Sequence, residues 1–428
     1  MRSKVWNTAS RWVMVGLMAS LAACTETPEF KDREFVPLSF DLEGYFNASE
    51  ADFSRAEGQW GQLIVSVTGK ASLLNLLRDD TDADGNVTYE ATTAGMEIRG
   101  ETGQGDFKDR RNSYAKGMYD TTASVVSWLD LNKIRWKLFA RQLTPDAATE
   151  GTGDGTEAVR KMMAGEYHCL TWSREDASQE GVDMYLSQFF LDGTRVDQFI
   201  SGSPAGRSSG AAAYQYEVTA EGRLTLTNDM LKQAQQAAEA KLAAMDECKP
   251  EGGGTGLNER CSARAGLFGF VGLNGDLIST SKVVDKRIKP VLAEGETLQP
   301  QDEWGTGGRF EICLKKGREH TQAELAGEYW VHLVEKVGGS WRGARGVLTL
   351  DAEGEGTLTT LDVSAGSSPR MLAVSVHVES DGQLTVNGKS GALSPNGDLW
   401  MFDASDELTE PVTLGMAWVM RKRPLPQE

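Results

Sequence analysis

Catalytic signatures are missing from this sequence. Its four histidines, His168, His320, His332 and His377, form neither an HxH nor an HExxH pair, so a zinc hydrolase would lack its ligand pair. No GxSxG elbow occurs, and SGSPAG at 201–206 has no strand-to-helix context. Gly388-Lys389-Ser390 ends like a phosphate loop, but Gln383 stands where that loop needs its first glycine. No cysteine pair has CxxC or zinc-ribbon spacing. Positive charge is scarce as well: 44 Lys and Arg face 62 Asp and Glu, a formal net charge of −18. That balance excludes a nucleic-acid partner and direct adsorption to anionic lipid, and it suits a soluble body or a basic partner. Carboxylates abound, so a glycosidase-type pair has material to draw on, but the separation it needs is a property of space and not of sequence.

What is present begins at the N-terminus. Arg2, Lys4 and Arg11 surround the start of an apolar stretch, Trp12–Ala19, too short to cross a bilayer, and Leu21-Ala22-Ala23-Cys24 follows. This resembles a bacterial lipoprotein signal, whose four-residue lipobox is matched at every position. The resemblance implies a signal peptide over 1–23, cleavage before Cys24, and lipidation of Cys24 by a diacylglycerol thioether and an N-acyl chain of the palmitate kind. Two or three acyl chains hold a protein on a membrane where one would release it. Thr25 stands where inner-membrane retention would show Asp, which implies the outer membrane of the cell envelope. Loss of the three leader cations takes the net charge from −18 to −21. Residues 24–40, aperiodic and holding Pro28 and Pro37, read as a lipid-anchored flexible stalk.

The body repeats one set of landmarks three times. Opening strands read LEGYF at 42–46, AGEYH at 164–168 and AGEYW at 326–330. A middle hairpin reads DADGNVTYEA from Asp82, TAEGRLTLTN from Thr219 and ESDGQLTVNG from Glu379. Closing strands read IRWKLFARQ from Ile134, RFEICLKKG from Arg309 and MAWVMRKRP from Met416, each alternating and each followed by basic residues. Modules two and three also share NGD tripeptides at Asn274 and Asn396, where Asn-Gly suits a tight turn; in module one the stretch Gly100–Lys116 reads as a polar loop instead. The expected division is module one over 41–143, a Gly/Thr/Asp-rich linker over 144–163, module two over 164–317, a short joint over 318–325 and module three over 326–424.

Frequent Gly-containing turns without alternating helices predict an all-β fold of three tandem antiparallel modules, each a small up-and-down barrel or curled meander, with a sandwich as the alternative. In a closed barrel the first and last strands are neighbours. Setting Cys24 aside, the four remaining cysteines then pair as Cys169 with Cys313 and Cys248 with Cys261, out of three possible pairings in an oxidising compartment. Module two carries an insertion at 228–262. Its segment DMLKQAQQAAEAKLAAMDE (229–247) predicts a helix capped by Asn228 or Thr227, with Leu231, Ala234, Ala238, Leu242 and Met245 on one face covering a sheet face or barrel end.

One stretch hints at metal. In DDTDADGNVTYEA, residues 79–91, Asp80, Asp82, Asp84 and Asn86 follow an EF-hand pattern, but Ala91 stands where the closing Glu belongs and no helix flanks it. A hairpin turn is the first expectation and a structural calcium ion the second; no other cofactor is implied. Eleven tryptophans include Trp60, Trp304, Trp341 and Trp400 in strands or beside turns, most expected in cores and one or two able to stack on a glycan. The reading that follows is a non-enzymatic binding or assembly lipoprotein, tethered to the membrane through Cys24, with a protein partner in the envelope. The alternatives are an exported glycan or peptide hydrolase and a calycin-like carrier of a small apolar ligand.

Overall fold

The computed structural model describes residues 44–422 apart from scattered stretches, of which 144–154, 174–182, 202–210, 289–308 and 406–412 are the longest; over most of 44–119 and 173–212 it describes the backbone path alone. Barrel 1 is built from β1 (Gly44–Asp52), β2 (Glu57–Val65), β3 (Lys70–Leu74), β6 (Gly95–Arg99), β7 (Gln104–Lys108), β8 (Tyr114–Tyr119), β9 (Val125–Asp130) and β10 (Arg135–Arg141). Between β3 and β6, β4 (Asp79–Thr81) and β5 (Val87–Tyr89) form a separate two-stranded sheet. Helix α1 (Gly155–Met163) precedes barrel 2. That barrel holds β11 (Gly165–Ser173), β12 (Asp183–Leu191), β13 (Arg195–Ser201), β14 (Ala211–Val218), β15 (Arg223–Thr227), β16 (Cys261–Gly272), β17 (Leu277–Ile288) and β18 (Arg309–Lys315), with helix α2 (Asp229–Ala243) between β15 and β16. Barrel 3 runs from β19 (Gly327–Val337) through β20 (Ser340–Leu350), β21 (Glu355–Val363), β22 (Met371–Val378), β23 (Gln383–Val386), β24 (Lys389–Leu393) and β25 (Leu399–Asp403) to β26 (Thr413–Arg421). The fold is all-β, three closed up-and-down barrels of eight strands each.

Alternation in sequence produces this directly. In β15, Leu224 and Leu226 turn inward between Arg223, Thr225 and Thr227; in β22, Val374 and Val376 are buried while Ala373, Ser375 and His377 are exposed. Each barrel closes by its last strand pairing with its first, at Phe46↔Arg141, Cys169↔Cys313 and Tyr329↔Arg421. The Cys169–Cys313 pair is disulfide-bonded, and Cys248 bonds to Cys261.

Several strands are buried on both faces, because the barrels share a core. Inward residues Tyr167, Cys169, Tyr214, Leu267 and Ile278 fill barrel 2, and Tyr329, Val331, Leu348, Val374, Trp400 and Phe402 fill barrel 3. The outward residues of the same strands join a third cluster drawn from all three modules: Leu129, Trp136 and Leu138 from barrel 1, Trp172, Phe310 and Ile312 from barrel 2, Trp330, Trp418 and Met420 from barrel 3. Continuous apolar runs such as AWVM in β26 follow from this two-sided burial.

In four places the structure differs from what the sequence predicts. DADGNVTYEA does not occupy the middle-hairpin slot of module one: Asp79↔Tyr89 and Thr81↔Val87 pair in the separate β4–β5 sheet, and the strands equivalent to β14–β15 are β6 and β7. Gly100–Lys116 is accordingly no loop, since it holds β7 and the start of β8. The linker 144–163 contains α1, whose Val159 and Met163, one helical turn apart, are buried in the barrel 2 interior. As for α2, Asn228 Oδ1 accepts from the Leu231 N–H at 2.9 Å, and Leu231, Ala238 and Leu242 are buried. It ends at Ala243, four residues short of the expected end, and Met245 is exposed. Ala238 and Leu242 pack with Cys248, Cys261 and Ala263, so the helix covers the stapled extension of β16.

Candidate functional site

The ends where the barrels close share one arrangement in modules two and three. Gly165 and Gly327, at φ 138° and 143°, start the opening strands, and each is followed by Glu and Tyr. Tyr167 Oη donates to the Met163 carbonyl at 2.9 Å and also to the Gly275 carbonyl; Tyr329 Oη donates to the Leu325 carbonyl at 2.8 Å. The closing strands lay Lys315 over Tyr167, 5.9 Å from its ring centroid, and Arg421 over Tyr329 at 4.9 Å. The second basic residue pairs with the Glu, Lys316 with Glu166 at 3.4 Å and Lys422 with Glu328 at 2.8 Å. The NGD turn completes each end: the N–H groups of Lys315 and Arg421 donate to the carbonyls of Asp276 and Asp398, both at 2.8 Å, and Arg421 ion-pairs with Asp398 at 3.1 Å. Burial pushes Tyr167 well above the usual tyrosine range, with Asp276 adding to it, and pushes Asp276 upward against the opposing pull of Lys315. In barrel 1 the Arg141 N–H donates to Ser124, so the position of the NGD aspartate carries no charge.

One layer differs in composition between the three barrels. In barrel 3, cross-strand register runs Ala344, Leu333, Ala417, Phe402, Gly391, Leu384, all apolar or glycine. The same layer in barrel 2 reads Tyr185, Thr171, Glu311, Thr280, Gly269, Leu224. Glu311 is wholly buried there and accepts from Thr171 Oγ1 at 2.9 Å, from Thr280 Oγ1 at 3.2 Å and from Arg309. Arg309 also donates to Tyr214 Oη at 3.1 Å, and burial pushes the Tyr214 hydroxyl upward, with Arg309 pulling the other way. These bonds tie Glu311, Thr171, Thr280, Arg309 and Tyr214 to one another, which makes the cluster a structural plug. In barrel 1 the layer reads Gln59, Glu50, Lys137, Trp128, Gly117, Gly105. Lys137 Nζ lies 5.3 Å from the centroid of Trp128, which stacks on Phe139 at 6.2 Å. Lys137 is half-buried, whereas Glu311 and Ala417 at the same position are fully buried.

The histidines of the opening strands are structural. His332 is wholly buried on the outward face of β19, its Nδ1 2.7 Å from Ser127 Oγ of β9, and Ser127 accepts from Trp136 Nε1 at 2.8 Å. His168, on β11, is also buried. Of the metal candidates, Asp80 lies in β4, while Asp82, Asp84 and Asn86 lie outside the described residues, as does Cys24. Among the described residues no three His, Cys, Asp or Glu side chains are grouped to hold a metal ion. Trp400 sits inside barrel 3 and Trp341 packs on the shared core. The side chain of Trp60, and Trp304 as a whole, lie outside what the structure describes. The layer of barrel 1 escaped the sequence reading because it depends on register around the barrel; the signal available was Gly105 and Gly117 in strands that otherwise alternate.

No family model and no curated protein matches the chain. Among solved structures, it is similar to transferrin-binding protein B from Haemophilus parasuis, at 8% identity over 89% of this chain and 75% of that one, with a TM-score of 0.28. Transferrin-binding protein B from Neisseria meningitidis matches at 7% identity over 86% of this chain and 66% of its own, with a TM-score of 0.24. A DUF3598-family protein from Nostoc punctiforme matches at 9% identity over 63% of this chain and 99% of its own, with a TM-score of 0.22.

Proposed function

We propose that this protein is a lipid-anchored component of the bacterial outer membrane, held through Cys24, whose three barrels form one non-enzymatic body that binds a protein partner. The observation that carries the reading is the use of space: side chains fill barrels 2 and 3, and part of the outward face of each barrel is used in a shared core. A body of that kind offers its remaining outer surface for recognition. The acid wholly buried in a barrel interior among the described residues, Glu311, is tied to Arg309 and two threonines instead of facing a second carboxylate. A net charge near −21 after leader removal favours a partner with a basic face.

Affinity capture from detergent-solubilised membranes tests this. The expected result is one envelope protein recovered reproducibly; no partner, together with cleavage of a cell-wall or glycan panel, would overturn it. Cys24→Ser should abolish palmitate labelling and move the protein to the soluble fraction. Calcium at Asp80, Asp82, Asp84 and Asn86 would act only as a local stabiliser of the β4–β5 hairpin, a reading to abandon if calcium leaves the melting temperature unchanged.

A further inference from the structure

Four large apolar side chains are exposed among the described residues, and two of them are neighbours. Leu361 of β21 is 48% exposed and Met371 of β22 is 73% exposed, whereas Met230 and Met245 stand at the start of α2 and just past its end. The register slips between Arg345 and Gly346, so Leu361 is the extra residue of a bulge, with no partner on β20. On its other side the Thr360 N–H donates to the Arg370 carbonyl at 2.9 Å, and the Arg370 N–H donates to Thr360 Oγ1 at 2.7 Å. Leu361 and Met371 each follow one member of that pair, and the Arg370 guanidinium is tied to Glu335. From these two residues the outward face continues through Thr359 and Thr357 of β21 and Ala373 and Ser375 of β22 without a charge. It ends in exposed acids: Glu355, Asp351 and Glu353 at one hairpin turn and Glu379 at the next. Among the described residues no Lys or Arg ion-pairs with any of the four, and Glu379 meets only His377, at 3.9 Å. No residue of β21, β22 or β23 belongs to the core that the barrels share.

We infer that the outer wall of barrel 3 formed by β21 and β22 is the docking surface for the protein partner, and that the partner brings to it an apolar side chain flanked by Lys or Arg. This rests on the proposed function and adds where the partner docks and by what chemistry. Protein interfaces lose charge at their centre and gain methionine, as this face does. The hydrogen-bonded Thr360–Arg370 pair fixes both anchors before binding, which lowers the ordering cost. Glu355 pairs with Ser375, four residues from Met371 on β22, so the partner's basic group lies about 13 Å from its apolar one. The unneutralised acids at that end select the basic group and repel an anionic lipid surface. β21, β22 and β23 hold no Phe, Tyr or Trp, so a sugar finds no ring to stack on.

Methyl NMR on the whole mature chain carrying Cys24→Ser, with isotope-labelled methionine methyl groups, tests the surface with a defined probe. The probe is the peptide Lys-Arg-Gly-Ser-Leu-Leu, its control Glu-Asp-Gly-Ser-Leu-Leu, and Met371→Leu identifies the Met371 signal. The expected result is a saturable shift of the Met371 methyl with the basic peptide, no shift of Met230, and a response to the acidic control weaker by about tenfold or more. In parallel, capture of the envelope partner should fall about tenfold or more in Leu361→Glu/Met371→Glu and stay unchanged in Met230→Glu, with both variants melting as the parent chain does. An unmoved Met371 methyl, an equal response to the acidic peptide, or a partner that the double variant still captures overturns the assignment. A parent chain that captures no envelope protein overturns the proposed function instead, and the Met371 response still decides this surface.

Discussion

Phe53, just past the first strand of barrel 1, meets Trp172 of barrel 2 edge to face, with ring centroids 5.1 Å apart. Trp341 of barrel 3 completes the contact, 5.0 Å from Phe53 and 6.3 Å from Trp172. One aromatic ring from each module therefore meets at a single junction, and Phe53 is 1% exposed. Phe53→Ala should cost about 3–5 kcal/mol, as for other buried phenylalanines, measured as a fall in the urea midpoint. A cost under about 1 kcal/mol would mean the junction is incidental.

Ser127 links two modules by hydrogen bonds, touching both His332 and Trp136. Since its oxygen accepts from the indole, its proton is free to go to His332 Nδ1. Ser127→Ala leaves both partners without it in an apolar core, and should cost about 2–3 kcal/mol. Ser127→Thr, which keeps the hydroxyl, should lose less.

The two disulfides should differ in worth. Cys169–Cys313 spans 144 residues and Cys248–Cys261 spans 13. On loop length alone, replacing the first pair with alanine should cost about 5 kcal/mol and the second about 3. Denaturant titration of the two double variants measures both; a larger loss from the short bridge would show that the α2 insertion, and not the barrel wall, limits stability.

Tyr329 should make the fold sensitive to alkali. Burial lifts its hydroxyl from the ordinary 10.0 to about 12, with Arg421 opposing and Asp398 assisting. Because the folded state holds the proton more tightly, this contribution is complete below about pH 10 and fades as pH rises through about 12. The melting temperature should fall across that window, and less so in Tyr329→Phe, which has no proton to lose; equal falls in both proteins would contradict the assignment.

Much of the fold was legible because the closing devices are local in sequence. The AGEY openings, the NGD turns and the basic pairs mark the same barrel end in modules two and three, and Gly275 and Gly397 take the positive φ that a tight turn requires. Turn chemistry also misled. Gly85 marks a hairpin as convincingly as Gly222 does, yet the strands flanking it, β4 and β5, pair outside the barrel. Helix α1 was hidden by Gly-, Thr- and Asp-rich neighbours, because two apolar residues one turn apart make too short a pattern to read. The barrel 1 layer was out of reach: Gly105 and Trp128 are brought into one layer only by the pairing of β7, β8 and β9.

Three barrels form a single body through a shared core. Scanning calorimetry of the mature chain carrying Cys24→Ser measures this directly. The expected result is one transition whose calorimetric and van't Hoff enthalpies agree, and which Phe53→Ala moves as a whole. Separate transitions, with Phe53→Ala shifting one and leaving the others in place, would show three barrels that merely touch.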